Sequence, residues 1–385
     1  MDKVNENGLL KRFVFFIYGV IGMITQVRTT CFTGGTDLKI LGREFVLKKM
    51  TYHRDSNAIN KSNKSNTNTN KNTMVRYPAQ IAAIIMIVIL ASMFFSGCEK
   101  KKPLEDQESK ALAYLLDDKK SFNDLSDYSL EIHLLVNSKV IKENEELQNK
   151  LSKSNAYKQY LDNLDRILKD NGGQLENNTI KDYATTCIAL KSMGENPEDY
   201  KGNNLFSKLD DAELAKNASV IDKAWALIAT RYLGLKLQNE ADYYNDLISF
   251  AQNSSDEEAK QIEEQAIIAQ ALSYYHALPD TSVALSMIME RLENAQKDNG
   301  SFGDSKKTGI VLLSISSLGI DAEAYDPLIK NKKSIVDGIS EYIEGEGFKY
   351  RMKDSKADKV STLYALLGIE AQKRIEEEGL FPKHK

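Results

Sequence analysis

Three apolar segments of this chain end on a glycine in nearly the same way: IALKSMG at Gly194, LIATRYLG at Gly234 and SISSLG at Gly319. The first two glycines are 40 residues apart and the next gap is 85, close to twice that, with His276 near its middle. Glycine is the usual residue for a left-handed helix cap, so a recurring terminal glycine marks a recurring helix end. A period of roughly 42 residues is the spacing of a helical-hairpin repeat, which buries its apolar face only by stacking on neighbours. Each unit carries one helix that is apolar all round (AWALIATRYLG, QAIIAQALSYY, TGIVLLSISSLG) and one that is amphipathic (YKQYLDNLDRILKD, VALSMIMERLENAQ, KSIVDGISEYIEG). Apolarity on all sides predicts burial on all sides, so the first kind is expected inside and the second outside. The turns between them, KDNGGQL, QKDNGSFGD and EGEGFKY, are glycine-rich, and two carry an aromatic residue, Phe302 and Phe348, that can plug between hairpins.

Gln296, Gly300 and Phe302 form Q-x-x-x-G-x-F, which is similar to the Q-x-x-x-G-x-W repeat of squalene cyclases. With AWALIA at 224–229 and the segment from Glu263 to Asp326, residues 155–375 resemble the prenyltransferase and squalene-cyclase repeat superfamily. Within it they are nearest to an exported bacterial branch that also resembles transcobalamin and intrinsic factor. The resemblance implies an all-α fold, an α/α toroid of about five to six helical hairpins, with an inner ring of parallel helices and an outer antiparallel ring. A plain helical-hairpin solenoid is the alternative. Residues 110–150 supply one further, degenerate hairpin.

A different pattern precedes the repeats. Residues 74–98 run from the basic Arg76 through an uncharged apolar stretch, Ile81 to Phe95, to Ser96, Gly97 and Cys98, followed by Glu99 and three lysines. Basic, apolar and small segments in that order are a secretory signal. The segment resembles a lipobox, with Phe95 where leucine is commonest. The resemblance implies diacylglycerol transfer to the Cys98 sulfur, cleavage before it, and a membrane partner through the lipid anchor on the extracytoplasmic face. An uncleaved anchor is the alternative, although the apolar stretch is at the short end for spanning. Upstream, SNAINKSNKSNTNTNKNT is polar and of low complexity. We expect residues 1–73 to be a non-native or disordered extension, 74–98 a signal peptide, 99–109 a linker, 110–376 the helical domain and 377–385 a tail.

The net charge of −4 argues against nucleic acid as a partner. Cys31, Cys98 and Cys187 sit in unrelated contexts and do not make a disulfide framework. Members of the resembled superfamily that cyclise use a D-x-D-D cluster, which this sequence lacks, and its Asp117-Asp118 and Asp210-Asp211 pairs lie in charged stretches. Those that transfer prenyl groups hold zinc with Asp, Cys and His. Here Asp222 stands at the aspartate, but Ala224 replaces the cysteine and Thr185 the histidine, beside Thr186 and Cys187. No metal or cofactor is expected. Cys187, beside Ile188, Ala189 and Leu190, reads as a small buried hydrophobe.

What remains is the end of the domain where the inner helices begin, since helix N-termini present unpaired N–H groups to polar ligand atoms. Asp182, Tyr183, Asp222, Trp225, Glu264, Gln265, Thr308, Ser361 and Thr362 fall at or near those starts. For Trp225 core packing competes with ligand stacking, and for the others helix capping competes with binding. The expected function is a lipid-anchored binding protein for a small molecule, corrinoid-like among the options, or for a peptide-like ligand. A divergent enzyme in the same cavity and a structural surface module are the alternatives.

Overall fold

The computed structural model describes residues 104–116, 124–254, 257 and 261–375. Cys98, the segments 1–73 and 74–98 and the tail 377–385 lie outside the described residues. The described chain is all-α apart from one short hairpin. Its helices are α1 (Leu104–Leu115), α2 (Leu125–Asn137), α3 (Lys139–Glu143), α4 (Glu145–Ser154), α5 (Ala156–Asp170), α6 (Ile180–Ser192), α7 (Ala212–Asn217), α8 (Val220–Leu233), α9 (Glu240–Asn253), α10 (Ile262–Ser273), α11 (Pro279–Ala295), α12 (Ser305–Ser317), α13 (Ile335–Ser340) and α14 (Lys359–Gln372). Helix α1 begins inside the stretch 99–109 that the sequence suggests is linker, because Leu112 and Leu115 are buried and fix it to the core.

Six of these helices, α2, α6, α8, α10, α12 and α14, are buried over most of their length. Each packs against the next in that order, and α14 in turn touches α2. Five of them start at a side-chain cap that accepts a first-turn N–H: Asp124, Thr179, Ser219, Asp304 and Asp358. Gly194, Gly234 and Gly319 stand at the ends of α6, α8 and α12 with φ of 84°, 71° and 74°, the left-handed geometry that the sequence implies. Contacts link start to start and end to end. Lys181 N at the head of α6 donates to Asp222 Oδ1 in α8 at 3.0 Å, and the Arg231 guanidinium at the end of α8 lies 4.6 Å from the Tyr275 ring just beyond α10. Neighbouring members of the six therefore run parallel.

The amphipathic helices lie against the six. Helix α5 packs on α2, α9 on α8 and α11 on α10, each through one stripe. In α5 that stripe is Tyr160, Leu164, Ile167 and Leu168, spaced as the 3.6-residue helical repeat requires. The third predicted amphipathic helix differs. KSIVDGISEYIEG is helical only over α13, and the chain then turns into a two-stranded hairpin, β1 (Ile343–Glu344) and β2 (Gly347–Phe348). Gly345, at φ 60°, closes the turn, and a second helix-poor glycine two residues on, Gly347, favours a hairpin over continued helix.

The Q-x-x-x-G-x-F turn works as a bracket. Gln296 Nε2 donates to Gly300 O at 3.0 Å and Leu328 O at 2.9 Å. A Cβ on Gly300 would lie 2.1 Å from Ser334 O, so only glycine fits there. The Phe302 N–H donates to Thr308 Oγ1 at 3.0 Å, and the Phe348 N–H donates to Thr362 Oγ1 at 2.9 Å. The same aromatic-to-threonine link thus recurs in two repeats.

Helices α12 and α14 approach most closely. A Cβ on Gly309 would meet Tyr364 O at 2.3 Å, and one on Gly368 would meet Gly309 O at 2.5 Å. Backbone meets backbone here, and no side chain can yield. Gly309→Ala or Gly368→Ala is expected to cost at least about 2 kcal/mol through overpacking. Gly194→Ala, where nothing lies within 4 Å, is expected to cost only about 1 kcal/mol of left-handed strain. Urea unfolding midpoints of the three variants check the order.

Candidate functional site

The first turns of the six parallel helices carry a concentration of charge. Asp127 in α2 accepts a hydrogen bond from Tyr364 OH of α14 at 2.9 Å. One turn further along α2, Glu131 pairs with Lys359 at the head of α14, with Nζ 3.2 Å from Oε1. Lys306 of α12 donates to Glu263 of α10 at 2.9 Å, and its ammonium lies 5.4 Å from the centre of the Tyr364 ring. Lys181 of α6 and Lys306 both act electrostatically on Asp127, while Glu263 and Asp124 act on Tyr364. Asp127, Lys181, Glu263, Lys306 and Tyr364 thus interact across five helices, with the Glu131–Lys359 pair one turn further along α2.

Depth grades the cluster. The Lys306 and Glu263 side chains are about 30% exposed (31% and 30%) and form the rim, whereas Glu131 keeps only 4%. Burial raises the Asp127 carboxyl, and the Tyr364 bond, Lys181 and Lys306 work against that rise. Burial lifts Glu131 from an ordinary 4.5 to about 7, with Lys359 opposing. Tyr364 is pushed well above its usual value, first by burial and then by Asp127, so it stays protonated and donates. The cluster can therefore offer carboxylate, ammonium and hydroxyl groups together, with one acid that exchanges its proton near neutrality.

The positions singled out from the sequence lie at the same end but mostly serve the fold. Asp182 is buried and accepts from Ser126 Oγ across the α2–α6 contact. Asp222 completes a capping box with Ser219 and accepts from Lys181 N. Tyr183 is fully buried; its OH donates to Asn178 Oδ1 at 2.8 Å and accepts from Leu175 N at 3.1 Å. Trp225 is 1% exposed within α8, so its side chain packs in the core, where a ligand does not reach. Gln265 is buried and accepts from Arg291 Nη1 at 3.1 Å, and Glu264 is half-buried in the first turn of α10. Thr308 and Thr362 hold the aromatic turns, and Ser361 is fully buried.

Sequence reasoning missed Asp127, Glu131, Lys181, Glu263, Lys306, Lys359 and Tyr364. Five of these, Lys181, Glu263, Lys306, Lys359 and Tyr364, are adjacent to, or two residues from, a predicted residue. Charged residues in the first turn of every apolar helix were the signal that could have found them. Among the described residues no group of His, Cys, Asp and Glu can hold a metal ion. Cys187 is buried, and burial pushes its thiol far up, so it is inert. Neither a protein-family model nor a curated protein matches the chain.

Glu131 yields a pH prediction. Its folded value, about 7, lies above the ordinary 4.5, so the folded state holds the proton more tightly. Stability is then lost as pH rises from about 4.5 to about 7 and is flat beyond, by on the order of 3 kcal/mol for this group. Glu131→Gln is expected to melt near the parent at pH 5 and above it at pH 8. Thermal unfolding at the two values checks this; equal melting gaps at both would refute it.

Proposed function

We propose that the six parallel helices are the inner ring of an α/α toroid, and that its mouth, at the helix starts, binds a small polar or peptide-like ligand. The observation that carries this reading is the polar cluster of Asp127, Glu131, Glu263, Lys306, Lys359 and Tyr364 gathered from separate helices. Lysines in the first turn of a helix face the positive end of its dipole and are disfavoured there. Lys181, Lys306 and Lys359 all occupy that place. Fold stability alone does not call for them, whereas recognition of a ligand carrying both charges does. The contact order of the six helices, with α14 returning to α2, supports the toroid.

The basic, apolar and small segments that end at Cys98 support the remainder of the proposal: an exported lipoprotein held on the extracytoplasmic face by its lipid, with the helical domain as its binding head. Among the described residues no helix is long and apolar enough to cross a membrane. A second reading, an enzyme using the same mouth, draws on Glu131, whose value near 7 suits proton exchange.

Native mass spectrometry of the full chain purified from its own host tests the binding reading. A reproducible bound mass is expected, and it should be lost in the double variant Asp127→Asn, Lys306→Gln. Only apo protein across growth conditions would overturn it. Chemical alteration of the recovered ligand on incubation would favour the enzyme.

A further inference from the structure

We infer that a groove beside this mouth binds an oxyanion of the phosphate class, and that this is the anionic part of the ligand proposed above. The groove, about 480 Å³, lies between the starts of α10 and α12 and the end of α11, with Ile262, Arg291, Asn294, Lys297, Phe302 and Lys307 on its walls. Three of those side chains are cationic. No lining residue is acidic; the acids nearest Lys307 are Asp304, whose Oδ2 accepts from its Nζ at 3.0 Å, and Glu263, which acts on it electrostatically. Lys307 is 37% exposed while Asp304 is 7% exposed. The ammonium therefore faces the groove's solvent, and its counterion stands behind it.

The groove is also shaped for an anion. Gln265 accepts from Arg291 Nη1 at 3.1 Å and holds the guanidinium in place, leaving the rest of its planar fork for a tetrahedral oxyanion. Helix α10 begins at this wall, and Gln261 at its N-cap makes no side-chain cap bond, unlike the caps that start the other five buried helices. Its first-turn N–H groups add positive potential to that of the three side chains. That turn also carries two acids, Glu263 and Glu264; Lys306 engages Glu263 on the mouth side, so the cationic side chains of the groove carry most of the attraction. Phe302, 4% exposed, supplies an apolar floor for whatever carries the charge.

The test is calorimetric titration of the full chain in detergent with inorganic sodium phosphate, against sodium chloride at matched ionic strength. Saturable binding beyond the chloride control is expected, weakened about tenfold by Arg291→Gln, as loss of one charge-assisted bond implies. Lys297→Gln, at an exposed position without a fold role, should weaken it about threefold with an unchanged melting midpoint. A parallel arm uses vesicles of phosphatidylglycerol or phosphatidylcholine. Arg291-dependent binding to the former alone would identify a lipid headgroup as the source of the phosphate. No binding beyond the controls in either arm, or binding indifferent to both substitutions, overturns the inference. An uncharged native ligand recovered by mass spectrometry would also overturn it, while leaving the binding reading intact.

Discussion

Setting six buried helices parallel imposes one electrostatic condition on everything else in this protein. Each helix leaves first-turn N–H groups without intrahelical partners and a partial positive charge at its start. Parallel packing places those charges side by side, where antiparallel packing would cancel them. The sequence answers with Asp124, Thr179, Ser219, Asp304 and Asp358 at the caps and Asp182 and Asp222 one turn in. Several of these acids reach across to a neighbour: Asp222 binds the Lys181 N–H and Asp182 the Ser126 hydroxyl. Capping and assembly are thus accomplished by the same side chains.

That coupling explains what could be read from the sequence and what could not. Helix ends were legible because Gly194, Gly234 and Gly319 obey a local rule, and the Gln296–Phe302 bracket because its spacing repeats a known turn. Asp182, Asp222, Thr308 and Thr362 were legible as lying at helix starts with capping as one of their roles, but their particular partners were not, since these are remote in sequence or follow a turn. Lys306 and Tyr364 meet across two helices, and only tertiary placement shows it. Asp127 and Glu131 were lost for another reason: the stretch 110–150 lacks the terminal glycine that marks the other repeats, so the start of α2 was not located.

Close backbone contact is the second requirement of the arrangement. Gly309 and Gly368 let α12 and α14 touch main chain to main chain, and Gly300 and Gly338 do the same between the aromatic turn and α13. Helix α1 completes the packing from outside the repeats. Its Glu108 pairs with Lys373 at the end of α14, and Tyr114 OH donates to Ala357 O at 3.0 Å just before that helix begins. The first and last described helices are thereby joined.

The far ends of the same helices also carry charge, but there the cations agree with the dipoles: Arg231 pairs with Glu240 at the end of α8, and Lys373 with Glu108 and Arg374 with Glu370 at the end of α14. Where α2, α6 and α8 end, His133, Ser192 and Tyr232 make a compact network, with His133 Nδ1 2.8 Å and Tyr232 OH 3.1 Å from Ser192 Oγ. At the starts, by contrast, lysines stand against the dipoles and Glu131 is buried deeply enough to reach about 7. Ion pairs in such a setting recover little more than their desolvation, and apolar residues of similar volume would serve stability as well. Charges that stability does not require, held against the dipoles at the helix starts, are the reason for placing the proposed ligand there.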